Sequence, residues 1–174
     1  TDGSSRGNPG PGGFAAVIVM PQTDQQPTTN NRQRKVIELG GREERTTNNR
    51  MELRAAIEGL RGLTSNRERG PSSRIKDKGL RITIYTDSAY LVNGITKWIF
   101  GWQKNGWKTK EKKDVENRDL WEALIEASRN KEIQWKQVEG HVGVVGNMRC
   151  DEIATALADG KKPELYSGVL ENYS

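Results

Sequence analysis

Apolar and polar positions change period several times along the 174-residue chain, and the changes mark its elements. Phe14 to Met20 (FAAVIVM) is an apolar run of strand length, and the glycine- and proline-rich stretch from Gly7 to Gly13 predicts a hairpin-like entry into it. The polar segment Gln22 to Arg34 predicts a loop. A second strand is expected near Lys35 to Leu39 and a third from Arg42 to Thr47, giving an antiparallel meander. From Met51 the period becomes helical: Leu53, Ala56, Ile57, Leu60 and Leu63 fall on one stripe, with Asn48 or Asn49 as the cap. Ser65 to Gly79 is charged, contains Gly-Pro-Ser-Ser, and reads as a linking loop. Leu80, Ile82 and Ile84 then alternate with Arg81, Thr83 and Tyr85 in a strand ending at Asp87-Ser88, which can cap a helix from Ala89 to about Phe100. A helix over Leu120 to Ala127, a strand through Ile133, Trp135 and Val138, and a helix from about Met148 to Ala158 complete the series. The order β-β-β-α-β-α-α-β-α predicts an α/β fold, one mixed sheet with helices on its faces.

Composition narrows the function classes. No apolar run approaches the roughly 20 residues of a membrane helix. The single cysteine, Cys150, excludes an internal disulfide, and with one histidine it excludes a Cys/His zinc site. A soluble, intracellular and monomeric protein of the cytoplasm is expected, although the missing initiator Met leaves targeting unread. The net charge of +5, from 28 Lys+Arg against 23 Asp+Glu, is mild and permits a polyanionic partner without requiring one. Its densest basic stretch combines Lys97, Lys104, Lys108, Lys110, Lys112 and Lys113 with Trp98, Trp102 and Trp107. That stretch reads either as a polyanion surface or as a solvated basic loop over a helix whose Trp98 and Trp102, at i and i+4, belong to the core.

Four carboxylates stand where element ends converge on one sheet: Asp2, Glu52, Asp87 and Asp151. Singly, each has an ordinary structural reading, as a helix-terminus residue or a solvated acid. Clustered, they are hard oxygen ligands for Mg²⁺ or Mn²⁺, and two such ions about 4 Å apart can clamp both oxygens of a phosphoryl displacement. The only histidine, His141, lies among glycines ahead of the helix carrying Asp151, where it is either an exposed residue or a mobile proton carrier.

Thr1-Asp2-Gly3-Ser4 with Gly7-Asn8-Pro9-Gly10-Pro11-Gly12-Gly13, Thr47-Asn48-Asn49-Arg50-Met51-Glu52, Tyr85-Thr86-Asp87-Ser88, and Gly140-His141 with Asn147, Arg149, Cys150 and Asp151 together resemble type 1 ribonuclease H. The match runs in order from Thr1 to about Asp159, so residues 1–159 are expected to form the catalytic domain and 160–174 a C-terminal extension. The resemblance implies a ribonuclease H-like fold with a five-stranded mixed sheet flanked by helices. It also implies endonucleolytic hydrolysis of the RNA strand of RNA/DNA hybrids, leaving 5′-phosphate and 3′-hydroxyl ends. Two Mg²⁺ ions, with Mn²⁺ as a substitute, would be held by Asp2, Glu52, Asp87 and Asp151, and His141 would transfer a proton.

The same resemblance casts the stretch from Trp98 to Trp121 as the family's basic protrusion. Trp98, Trp102, Trp107, Lys108, Lys112 and Lys113 would then meet the DNA strand, Thr47 and Asn117 would form a phosphate pocket with Arg50 nearby, and Asn8, Asn48 and Asn49 would read the minor groove. Glu111, Asp114 and Glu116 depart from the pattern by diluting the positive charge. The apolar residues that normally precede Asp2 in the first strand are missing, so either the sequence is trimmed or that strand is expected to be shorter than the fold prefers. Two other readings compete, a junction resolvase or transposase-type nuclease and a module that binds hybrids without cutting. The asparagine-rich block argues against the first, and the complete carboxylate set against the second.

Overall fold

In the computed structural model, residues 1–20, 34–68, 80–139 and 145–173 are described. His141, all but Arg34 of the expected loop Gln22 to Arg34, and residues 69–79 lie outside the described residues, whereas Ser65 to Glu68, expected to begin a loop, continue the first helix. The apolar run ending at Met20 forms the second half of β2 (Gly10–Met20), which pairs antiparallel with the short β1 (Asp2–Ser5), Asp2 opposite Ala15. The expected second and third strands are one strand, β3 (Lys35–Thr46). Gly40 and Gly41 do not break it, because they pair with Ala15 and Phe14 and the Phe14 ring lies where a Gly41 side chain would stand.

Past β3, the short strand β6 (Ser167–Val169) adds antiparallel, giving the order β1-β2-β3-β6. β4 (Leu80–Thr86) and β5 (Lys131–Gln137) pair in parallel as a separate two-stranded ladder. The expected five-stranded sheet is therefore four strands plus two. β1 has only four residues to offer β4, and the seam carries a hydrogen bond donated by the Thr1 nitrogen to the Tyr85 carbonyl at 2.8 Å.

α1 (Asn48–Glu68) begins one residue earlier than a cap at Asn48 or Asn49 would allow. Thr47 is the cap, its Oγ1 accepting from the Arg50 N–H at 3.4 Å, which leaves both asparagine side chains exposed. Ser88 caps α2 (Ala89–Asn93), accepting from the Leu91 N–H at 3.2 Å. The helix continues through one π turn (Gly94–Trp98) into α3 (Ile99–Lys104), and the Trp121 ring occupies the space a Gly94 side chain would need. α4 (Arg118–Ser128) and α5 (Val145–Ala158) follow.

Leu53, Ile57, Leu60, Leu91, Trp121 and Leu124 are fully or almost fully buried in the main core, where each apolar side chain contributes roughly 1.5–3 kcal/mol. A smaller cluster of Ala15, Cys150, Ile153 and Ala154 fixes α5 on the other face of the sheet. Among the described residues, no helix is long and apolar enough to cross a membrane.

Candidate active site

Two glycines let the site assemble. A side chain at Gly3 would overlap the backbone of Met51 and Glu52, so its absence allows the first turns of α1 to press on β1 and bring Glu52 beside Asp2. A side chain at Gly13 would overlap the Ala154 carbonyl, so α5, which carries Asp151, lies directly against β2. Asp87 joins from the end of β4, held between the strand and the Ser88 cap. One carboxylate oxygen from each of Asp2, Glu52 and Asp87 lies within 4.8 Å of the other two.

Asp2 and Glu52 are buried and Asp87 is half-buried, so the electrostatic cost of three adjacent negative charges falls on the two inner acids. Burial first, and then the Asp87 charge, push the Asp2 carboxyl up to about 6, against a hydrogen bond donated by the Gly3 N–H at 2.7 Å. Burial, followed by the charges of Asp2 and Asp87, holds Glu52 well above the ordinary carboxylate range. Glu52 Oε2 is buried with no hydrogen-bond partner. A hard cation fits this arrangement: the donors are all carboxylate oxygens, the negative charge is concentrated, and one buried oxygen lacks a partner. Asp151 stands outside the 4.8 Å group, accepts from the Thr155 hydroxyl at 3.5 Å, and raises the Asp2 carboxyl through its charge.

A second feature opens beside the carboxylates' helix. Asn8, Thr47, Asn48, Asn49, Glu116 and Asn117 line a cavity of about 510 Å³. Asn8 Oδ1 accepts from the Asn48 N–H at 2.9 Å, tying the β1–β2 turn to the start of α1. Asn117 takes a left-handed conformation with φ 58° just before α4, and its Nδ2 donates to the Tyr90 hydroxyl at 3.1 Å. Arg50, expected beside a phosphate pocket, is not in the cavity wall. It forks onto Asp119 at 3.0 and 2.8 Å and donates to Asn117 Oδ1 at 3.3 Å, so it braces the asparagine from behind.

The RNase H family profile matches residues 1–159, almost the whole chain. The chain belongs to the RNase H family. Ribonucleases H act on RNA/DNA hybrids, and this chain is an enzyme of that class, of type 1. It is 43% identical over 158 residues to the Ribonuclease H of Novosphingobium aromaticivorans, covering 91% of this chain and 93% of that one. In fold it is similar to LC9-RNase H1, a type 1 enzyme with the type 2 active-site motif, at a TM-score of 0.61 and 26% identity, covering 95% of this chain and 80% of the other. LC11-RNase H1, solved in complex with an RNA/DNA hybrid, shares the fold at a TM-score of 0.58 and 20% identity over 91% of this chain and 94% of its own.

In this ribonuclease H the aromatic stretch is mostly interior. Trp107 is only 9% exposed and packs in the core under the Arg118 guanidinium, and Trp102 is wedged between Trp98, Trp107 and Trp121. Of the three tryptophans expected to meet nucleic acid, Trp98, at 40% exposed, has the most surface to offer. The reading of Trp98 and Trp102 as core therefore holds largely for Trp102 and fails for Trp98, while Trp107 is core as well. Lys108 pairs with Asp114 and Lys113 with Glu111 at 3.0 Å, all four at the surface, while Lys112 is exposed at a left-handed position.

Sequence reasoning missed Glu38. Its side chain is fully buried, and Arg149, the Tyr166 N–H and the Tyr173 hydroxyl all donate to it. Burial pushes its carboxyl up, and these hydrogen bonds outweigh that push and hold it below its ordinary value. The available signal was an acid inside the apolar run Val36-Ile37-Glu38-Leu39, a place where a charge needs a partner.

Proposed function

We propose that the chain hydrolyses the RNA strand of RNA/DNA hybrids endonucleolytically, using two Mg²⁺ ions, with Mn²⁺ as a substitute, and leaving 5′-phosphate and 3′-hydroxyl ends. The observation that carries this is the group Asp2, Glu52 and Asp87 with its unpartnered buried oxygen, in a chain of this family. Asp2, Glu52 and Asp87 would hold the cations, with Asp151 completing the set from α5. When bound, the ions supply positive charge at the attacking and leaving oxygens of the phosphodiester.

The remaining roles belong to the chain itself. Asp2 and Glu52 present their carboxylates from buried positions, and the Gly3 N–H fixes the Asp2 carboxylate. The cavity of Asn8, Thr47, Asn48, Asn49 and Asn117 offers amide and hydroxyl donors to a backbone and a minor groove, which suits a hybrid whose 2′-hydroxyls mark one strand. Trp98, Lys108, Lys112 and Lys113 would touch the DNA strand beyond it, with Trp102 and Trp107 supporting them from below. His141 would carry the proton at the product side.

Labelled RNA/DNA hybrid, duplex RNA, duplex DNA and a four-way junction, each with Mg²⁺ or with chelator, test the reading. Cleavage of the RNA strand of the hybrid alone, abolished by chelator, is expected. Junction cutting would move the chain to the resolvases, and binding without cleavage would make it a hybrid-holding module. His141→Ala should lower kcat roughly 10²- to 10⁴-fold at an unchanged KM. Equal turnover, with chemistry rate-limiting, would remove His141 from the mechanism.

A further inference from the structure

Three segments far apart in sequence meet at one buried carboxylate. Glu38 on β3 has a fully buried side chain and receives bonds from Arg149 Nε at 2.8 Å and Nη2 at 3.2 Å, from the Tyr166 N–H at 2.8 Å, and from the Tyr173 hydroxyl at 2.9 Å. Arg149 is on α5, two residues before Asp151, and its Nη2 also donates to the Glu164 carbonyl at 3.0 Å. The tail is tied back on its own account, since the Glu38 N–H donates to the Tyr166 carbonyl at 2.8 Å and the Tyr166 hydroxyl to the Val169 carbonyl at 2.6 Å. The Tyr166 and Tyr173 rings pack together with centroids 5.2 Å apart.

We propose that Glu38 is a positioning residue for the metal site, setting the place of Asp151 through Arg149 and the C-terminal tail. This rests on the metal-site reading above. Asp2, Glu52 and Asp87 are placed by β1, α1 and β4, which share the main sheet seam and core. Asp151 comes from the opposite face of the sheet, on a helix whose apolar contact is the small cluster around Cys150 and Ile153. Cys150 packs that turn of α5 into the cluster, and Arg149, one half-turn from Asp151, adds a polar anchor beside it. A guanidinium gripping Glu38 by two of its nitrogens fixes rotation as well as position, because its planar fork matches a carboxylate in one orientation. Tyr166 and Tyr173 of the tail close on Glu38, whose side chain is fully buried, while Arg149 stays partly exposed.

The test separates placement of Asp151 from stability. Glu38→Gln keeps the shape and removes the charge, and Tyr173→Phe removes one hydroxyl; Asp151→Asn serves as the calibrating variant. Mn²⁺ titration by calorimetry and the Mg²⁺ dependence of hybrid cleavage are measured well below each variant's melting temperature. Glu38→Gln should raise the half-saturating cation concentration roughly three- to tenfold, with KM for hybrid unchanged, less than the roughly 10- to 100-fold of losing a direct partner of a metal ligand, because Glu38 acts through Arg149. Tyr173→Phe should move it in the same direction by about twofold. A purely structural role would lower the melting temperature and leave the cation dependence where it was, and that result overturns the proposal. If Glu38→Gln does not fold, Tyr173→Phe decides by the same criterion. If Asp151→Asn itself leaves cation affinity unchanged, the metal-site reading fails instead.

Discussion

A single carboxylate decides whether the cluster can hold a cation. Asp87 is the least buried of the close trio, so Asp87→Asn can be made without opening the core. It should abolish Mg²⁺-dependent cleavage and leave hybrid binding nearly intact, because shape is kept while a charged ligand is lost. Retention of more than about a tenth of wild-type turnover would remove Asp87 from the site, since lost charge stabilisation costs several kcal/mol. Asp2 makes the cluster pH-sensitive in the metal-free protein. Its folded carboxyl is raised to about 6 from 3.8, so it contributes stability that is present below about pH 4 and lost as the pH rises through about 6. Glu38 has the opposite sign: its lowered carboxyl contributes stability above its ordinary 4.5 and loses it as acid protonates the folded group. Melting temperatures of chelated protein should therefore fall between about pH 4.5 and 7, and excess Mg²⁺ should flatten that fall. A profile that is flat without metal would mean that the three carboxylates are not crowded in solution.

Asp2, Glu52 and Asp87 were readable because each sits near a boundary between periodic segments, whereas Asp151, inside α5, was legible only through its flanking motif. Glu38 was unreadable as a partner of Arg149, because 111 residues separate them and neither has a neighbour in sequence that announces the other.

At the scale of elements, most strands and helices followed from the period of their apolar positions, and the misses have local causes. β3 looked divided at Gly40-Gly41, but a phenylalanine from β2 fills the glycine gap and lets one strand pass. The first helix takes its cap from Thr47, since Asn48 already has helical geometry. The aromatic stretch could not be divided into surface and core by spacing alone, because its rings stack on one another and only a three-dimensional arrangement shows which one faces outward. The protrusion still carries a testable charge. If Lys108, Lys112 and Lys113 contact phosphates, changing all three to Ala should flatten the slope of log K against log salt by roughly two to three units. KM should rise at physiological salt, and turnover at saturating substrate should change little. Glu116 lies in the wall of the asparagine cavity, so Glu116→Lys should strengthen hybrid binding. An unchanged slope in the triple variant would make these lysines a solvated face, consistent with the ion pairs two of them already form.

Across the whole molecule, β5 of the two-stranded ladder and β3 of the four-stranded sheet are protected differently at their outer edges. β5 carries Glu132 and Lys136 outward, charges that discourage another strand from adding there. The Arg42-Glu43-Glu44-Arg45 half of β3 is guarded in the same way, but the half around Val36 and Ile37 is apolar, and there β6 lies alongside, from Lys35 opposite Val169 to Ile37 opposite Ser167. The tail is thus a built-in cover over a stretch of rim, Lys35 to Ile37, that has a single exposed charge. Ending the chain after Pro163 should convert that stretch into a template on which copies add strand to strand, seen as concentration-dependent light scattering at temperatures where the full chain stays clear. A shortened chain that stays monodisperse would mean that the neighbouring charged half of β3 is deterrent enough. If scattering does appear, solubility in this protein depends on Ser167–Val169, in the same tail that closes on Glu38.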